Sequence, residues 1–119
     1  MIFQCSTKIN KPVSEVYKFT MNPENLSKWL SNIQQVEYTK GSPGELGYKA
    51  RYVYRENGEK IVLEDELVNV IENKEVKRIL SYMGVKMYLT NRFIDNGNNT
   101  MTLISTTDMQ LKNLLLHVV

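Results

Sequence analysis

Few residues in this chain have the chemistry to act alone. There is one histidine and one cysteine. A single histidine cannot build a zinc site. Cys5 would need a neighbouring base to act as a nucleophile, and His117 lies far off in sequence. His117 sits two residues from the end, where fraying or core packing outranks catalysis. No Gly-x-Ser-x-Gly elbow, phosphate loop or dinucleotide fingerprint is present, so no cofactor is expected. The acidic run Glu64-Asp65-Glu66 resembles a carboxylate cluster. On a strand, however, Asp65 points one way and its neighbours the other, so no dyad can form.

That alternation is imposed by the stretch from Glu45 to Asn69, two alternating runs joined by Asn57-Gly58. Asn-Gly between such runs is the strongest short-range hairpin signal, because a type I′ turn needs positive φ at both central residues. With these two as the turn, Arg55 faces Lys60, Tyr54 faces Ile61, Val53 faces Val62 and Tyr52 faces Leu63. Further along, Arg51 faces Glu64, Ala50 faces Asp65, Lys49 faces Glu66 and Tyr48 faces Leu67. One face collects Tyr48, Tyr52, Tyr54, Ile61, Leu63 and Leu67. The other sets Arg51 against Glu64 and Lys49 against Glu66. A slip of one residue would carry charges onto the apolar side, so the pattern specifies the register.

Asp65 is then alone on the tyrosine face, opposite Ala50. A carboxylate in an apolar wall costs several kcal/mol unless it is paired, wetted or protonated. It is either satisfied by a tyrosine hydroxyl or internal water, or it is a polar anchor inside a ligand cavity. The basic residues Lys49, Arg51, Arg55 and Lys60 share the opposite face from the tyrosines. They make no aromatic–basic platform for nucleic acid and read as a solvated, charge-paired surface.

Around this hairpin, Ile2 to Ile9 alternates as a half-buried strand with Phe3, Cys5, Thr7 and Ile9 on one side, which makes Cys5 a small core residue. Pro12 suits the first position of a helix carrying Val13, Val16, Tyr17 and Thr20 at helical spacing. Asn22-Pro23, with Glu24 in the first turn, starts a second short helix with Leu26, Trp29 and Leu30 on one side. Trp29 reads as a core anchor ahead of a ligand contact. Ile33 to Lys40 is a strand, and Gly41-Ser42-Pro43-Gly44 is a loop. After the hairpin, Asn73-Lys74 as a two-residue turn would put Val76, Arg78, Leu80 and Tyr82 on the tyrosine face. Tyr82 would then face Asp65, and Arg78 would face Asn69. A three-residue turn would put Ile79 inward in place of Arg78, so Arg78 is either inside the cavity or at its mouth. Met83-Gly84 is a turn or bulge. Lys86 to Asp95 and Thr100 to Asp108 are strands joined through Asn96-Gly97-Asn98-Asn99, with Met87, Leu89, Asn91 and Phe93 inward. Leu111, Leu114, Leu115 and Val118 fall at helical spacing in a final short helix.

The chain has 119 residues, 42% hydrophobic and 24% charged, which is enough for one ordinary core. Its net charge of +2 does not by itself suggest a nucleic-acid or acidic-lipid surface. No apolar run reaches the about 20 residues of a membrane span. The first ten residues do not read as a signal peptide, and a lone cysteine makes no internal disulfide, so a cytoplasmic protein is expected.

Lys11-Pro12-Val13-Ser14-Glu15-Val16-Tyr17-Lys18-Phe19 and Asn22-Pro23-Glu24-Asn25-Leu26-Ser27-Lys28-Trp29 resemble the opening of the START-like, helix-grip superfamily. Gly41-Ser42-Pro43-Gly44-Glu45-Leu46-Gly47 resembles the turn those proteins place before their long hairpin. The superfamily includes polyketide cyclase/dehydrase-like proteins, lipid-transfer domains and plant pathogenesis-related allergens. The resemblance implies one α+β domain over residues 1–119: a curved antiparallel sheet, two short N-terminal helices and a C-terminal helix, here shortened. It also implies a hydrophobic cavity, but no shared catalytic residue. The expected function is binding of an apolar small molecule or lipid. The expected wall is Tyr48, Tyr52, Tyr54, Leu63, Asp65, Leu67, Arg78, Tyr82 and Phe93, with Trp29. The alternatives are a cyclase-like enzyme using Asp65 as a proton relay, and a ligand-free interaction module. Members of the superfamily usually end in a closing helix of several turns, so the short tail also suggests a homodimer.

Overall fold

The computed structural model describes residues 1–28 and 33–110, without the side chains of residues 26–28. The chain runs through β1 (Ile2–Ile9), α1 (Val13–Met21), a 3₁₀ helix (Pro23–Lys28) and β2 (Ile33–Lys40). It continues through β3 (Lys49–Glu56), β4 (Glu59–Ile71), β5 (Glu75–Tyr82), β6 (Val85–Gly97) and β7 (Thr100–Gln110). All seven strands join one curved antiparallel sheet in the order β1-β7-β6-β5-β4-β3-β2. Strands β2 to β7 form a meander. The chain's first strand closes it beside β7, leaving β1 and β2 as the edges.

The central hairpin has the register its alternation predicts, from Lys49 opposite Glu66 to Glu56 opposite Glu59. Its turn residues Asn57 and Gly58 have φ of 52° and 80°, so both occupy the left-handed region a type I′ turn requires. Met83-Gly84 and Asn98-Asn99 make the next two tight turns with the same signs. Asparagine tolerates this conformation. At Met83 the strain is of the order of 1–2 kcal/mol.

Between β4 and β5 the register differs from the two-residue turn. Glu72, Asn73 and Lys74 form a three-residue loop closed by Lys74 N–H to the Ile71 carbonyl at 2.9 Å. Such a loop alone would turn Ile79 inward. A bulge at Val68 inserts a second one-residue offset, and the two cancel. Arg78 and Val76 therefore stay on the tyrosine face, but their partners shift. Arg78 lies opposite Leu67 rather than Asn69, and Leu80, not Tyr82, lies opposite Asp65.

Three further expectations are corrected. Pro12 occupies the cap of α1 rather than its first turn, its carbonyl accepting from Glu15 and Val16. The second helix is a 3₁₀ helix of six residues, too short for a stable α-helical nucleus. Asn22 starts it as expected, its Oδ1 accepting from the Glu24 N–H at 3.0 Å. Cys5 is exposed, as is the rest of β1 up to Lys8. That strand is an edge paired only to β7, and only Ile9 reaches the core. Trp29, Leu30 and the helix expected over Gln110 to Val119 lie outside the described residues, except Gln110, which ends β7.

The core sits between α1 and the concave face of the sheet. Val16 packs with Tyr48, Ala50, Tyr52, Leu67, Val76, Phe93 and Met101, and Val13, Tyr17 and Met21 pack around them. Helix α1 lies across β6, where Tyr17 meets the Phe93 ring edge-on at 5.6 Å between centroids. The inward stripe of β6 is as expected. Phe93 is buried, whereas Tyr88 on the opposite face is 42% exposed. Replacing Phe93 with alanine is expected to cost about 3–5 kcal/mol in urea unfolding. Tyr88→Ala is expected to stay within about 0.5 kcal/mol. The reverse order would mean that β6 presents its other face to the core.

Candidate functional site

The 3₁₀ helix follows α1 directly, so the two together lean over β4, β5 and β6 and enclose a recess of about 240 Å³. Its sheet wall is Tyr52 of β3, Leu63 and Asp65 of β4, Val76, Arg78 and Leu80 of β5, and Leu89 and Asn91 of β6. Its roof is Phe19 and Thr20 of α1 with Asn22, Pro23 and Asn25. The roof is fixed by its own polar groups: the Phe19 carbonyl accepts from Asn25 Nδ2 at 3.0 Å, and Thr20 Oγ1 donates to the Tyr17 carbonyl at 2.9 Å.

One ion pair interrupts this apolar lining. Asp65 is 3% exposed, and its Oδ2 accepts from Arg78 Nη1 at 2.8 Å. The same oxygen lies 3.5 Å from the Tyr52 hydroxyl, a long contact. Arg78 Nη2 lies 3.9 Å from the Met21 sulfur, which anchors the guanidinium beneath the end of α1. Two polar atoms of the pair are left over. Asp65 Oδ1 and Arg78 Nε are both buried, with no hydrogen-bond partner among the described residues. The buried Tyr48 hydroxyl lies near that of Tyr52 without a bond of proper geometry.

Among the residues named from sequence, Tyr52, Leu63, Asp65 and Arg78 meet at this recess. Tyr48 and Leu67 are core residues that do not line it, and Phe93 is committed to Tyr17. Tyr54 and Tyr82 are also outside the lining. Trp29 is outside the described residues. Val76, Leu80, Leu89 and Asn91 were legible as inward positions of their strands but not as neighbours of Asp65. The roof residues were not found. Their only signal was the Asn22-Pro23 break, which stops α1 over the sheet.

No family model and no curated protein matches the sequence. Solved structures do. Ara h 8.0201 aligns with a TM-score of 0.79 at 14% identity, over 92% of this chain and 77% of its own. A Streptomyces aromatase/cyclase, Zhui, aligns at 0.74 and 12% identity over 92% and 67%. The major latex-like protein 151 of Panax ginseng aligns at 0.72 and 16% over 92% and 78%. The chain has the helix-grip fold of these structures. At these identities the likeness is one of architecture. No helix among the described residues of this helix-grip domain is long and apolar enough to cross a membrane.

Burial pushes the Asp65 carboxyl above the usual carboxylate range, against the opposing pull of Arg78 and Tyr52. Burial, followed by the Asp65 charge, likewise pushes the Tyr52 hydroxyl well above the ordinary tyrosine range. Tyr52 is therefore a neutral hydrogen-bonding group at physiological pH.

Two measurements follow. Arg78→Met leaves Asp65 buried without its counter-charge and is expected to cost about 3 kcal/mol. Adding Asp65→Leu should restore most of that loss. A double variant no more stable than Arg78→Met would mean the pair carries no coupling. The second concerns pH. A carboxyl whose folded pKa exceeds its unfolded value of about 3.9 binds more protons when folded. Its stabilisation is complete below that value and is lost as pH rises through the folded pKa. The stability of the wild type relative to Asp65→Asn should therefore fall with rising pH from about 4 upward, then level off. A difference that rises with pH would mean that Arg78 outweighs burial.

Proposed function

We propose that this domain binds a compact apolar small molecule or lipid portion in the recess between the sheet and the α1–3₁₀ roof. The observation that carries the reading is the combination of an apolar wall (Phe19, Leu63, Val76, Leu80, Leu89) with one buried ion pair whose polar atoms are not all satisfied. Ligand sites have this composition, a mostly apolar lining with a few placed polar groups. Size narrows the ligand. Drug-sized pockets begin near about 300 Å³, and an apolar cavity of about 150 Å³ already admits benzene. The recess suits a molecule of one or two rings or a short acyl chain. Tyr52, Leu63, Asp65 and Arg78 are its proposed contacts.

A second reading, proton-transfer catalysis in the manner of a cyclase, is favoured by the raised pKa of Asp65 beside a tyrosine hydroxyl. The fold's likeness to an aromatase/cyclase lends it further support. In that reading Asp65 relays a proton while Tyr52 and Arg78 hold a carbonyl. The two readings separate on Asp65→Asn, which as a binding variant changes affinity and as a catalytic variant abolishes turnover while affinity persists.

The binding reading is tested by titrating naphthalene while recording amide shifts. Shifts should concentrate on β4, β5 and the α1–3₁₀ junction. Leu80→Trp, which fills the recess, should weaken binding at least about tenfold while leaving the fold intact. Shifts scattered over the outer sheet face, or binding indifferent to Leu80→Trp, would remove the recess as the site.

A further inference from the structure

The sheet has two edges, and only one of them is guarded. Strand β2 is irregular at two points of its pairing with β3, and its Glu37 is tied to Arg51 at 3.6 Å. Irregularities and charges of this kind keep an edge from pairing with another chain. Strand β1 is built differently. It runs in unbroken register from Ile2 opposite Asp108 to Ile9 opposite Met101, and among the described residues it pairs only with β7. Its side chains are exposed on both faces from Ile2 to Lys8, and Lys8 carries its only charge. We propose that this edge is a dimer interface: β1 pairs antiparallel with β1 of a second copy, continuing the sheet through a two-fold axis at Cys5.

The ladder with β7 decides which backbone groups are free. Met1 and Met109 exchange both bonds, the Met109 N–H donating to the Met1 carbonyl at 2.8 Å and the Met1 amino group to the Met109 carbonyl at 3.3 Å. Hydrogen-bonded pairs alternate along an antiparallel ladder, so Phe3, Cys5, Thr7 and Ile9 turn their backbone groups toward β7. Ile2, Gln4, Ser6 and Lys8 turn theirs away from the sheet. A second β1 must therefore oppose these residues to one another. Centring the pairing on Cys5 sets Ile2 against Lys8 and Gln4 against Ser6, so all of them are bonded. Centring it on Gln4 or Ser6 leaves Lys8 or Ile2 opposite no strand residue.

Charge and side-chain character favour a copy of the same strand over an unrelated peptide. Ile2 lies beside Asp108, and the position on its open side is the one that Lys8 of the second copy takes. Lys8 makes no ion pair among the described residues, and the Asp108 side chain is 41% exposed, 3.8 Å from the N-terminal amine. Two strand spacings, about 10 Å between backbones, separate Lys8 of one copy from Asp108 of the other on the same face, within reach of an extended lysine. On the opposite face, where Cys5 Sγ lies 3.9 Å from Thr7 Oγ1, Phe3 meets Thr7 of the second copy, an aromatic against a β-branched residue. The pairing also covers Ile2 and Phe3, which are 69% and 51% exposed. Strand β7 separates this edge from the recess walled by β3 to β6, so the interface and the ligand-binding reading are tested independently.

The test measures the mass of the wild-type chain in reducing buffer by sedimentation equilibrium, where a concentration-dependent dimer is expected. Ser6→Pro removes an outward N–H and no bond to β7, a position at which edge strands tolerate proline. It should raise the dimer's dissociation constant at least about tenfold. Gln4→Lys combined with Ser6→Lys sets like charges directly opposite one another at exposed positions and should have the same effect without constraining the backbone. Diamide, which takes up the hydrogen of each thiol, should join wild-type copies through Cys5. Non-bonded antiparallel pairs stand about 4.5 Å apart at Cα, within disulfide range. Moving the lone cysteine by Cys5→Ser with Thr7→Cys should lose that crosslink, because Thr7 faces Phe3. A monomer at every concentration, a dimer indifferent to the paired lysine substitutions, or equal crosslinking from positions 5 and 7 would overturn the β1 interface.

Discussion

The contact between Asp65 and Arg78 constrains everything around it. A carboxylate in the middle of an apolar sheet face is tolerable only with a counter-charge or a proton, and the structure supplies the first at 2.8 Å. To do so it must bring β4 and β5 together in one particular register. It must also keep Ala50 small opposite Asp65 and end α1 so that Met21 rests on the guanidinium. Pairs of this kind seldom add net stability compared with apolar residues of the same volume. Here the pair interrupts an otherwise hydrophobic concave wall, and that cost is easier to understand in a binding surface than in a packing surface.

How far the architecture could be read from the residues depended on how local each instruction was. The β3–β4 register is carried by Asn57-Gly58 and by alternation on both sides, so it was legible residue by residue. The β6 stripe ending in Phe93 was legible for the same reason. The β4–β5 register was not, because it depends on a bulge at Val68 that has no composition of its own. Val68 is 47% exposed and looks like any outward strand residue. The exposure of Cys5 was hidden for a different reason. Alternation shows that a strand has two faces, but not whether anything lies against either of them.

The lining of the candidate recess was legible to the same partial degree. Asp65 drew attention because its face was unsuitable for a charge, and Tyr52 and Leu63 followed from the hairpin. The remaining tyrosines do not line the recess. Sharing a face with Asp65 is a matter of parity, whereas lining the recess requires lying beneath the α1–3₁₀ roof. Tyr48 and Leu67 meet the first condition and are taken up by the core, and Tyr54 and Tyr82 lie outside the lining. A helix-grip architecture by itself assigns no chemistry, since function is placed on a fold by particular side chains.

The bulge at Val68 makes the irregular pairing of this hairpin and its charge pair depend on each other. Ile71 pairs with Glu75 across the loop, so a pairing that ran straight on from there would set Leu67 opposite Ile79 and Asp65 opposite Ser81. The guanidinium would turn to the outer face and leave the carboxylate stranded in the hollow. Straightening the strand would thus cost a buried charge, and the kink is held by electrostatics rather than by any residue that favours bending.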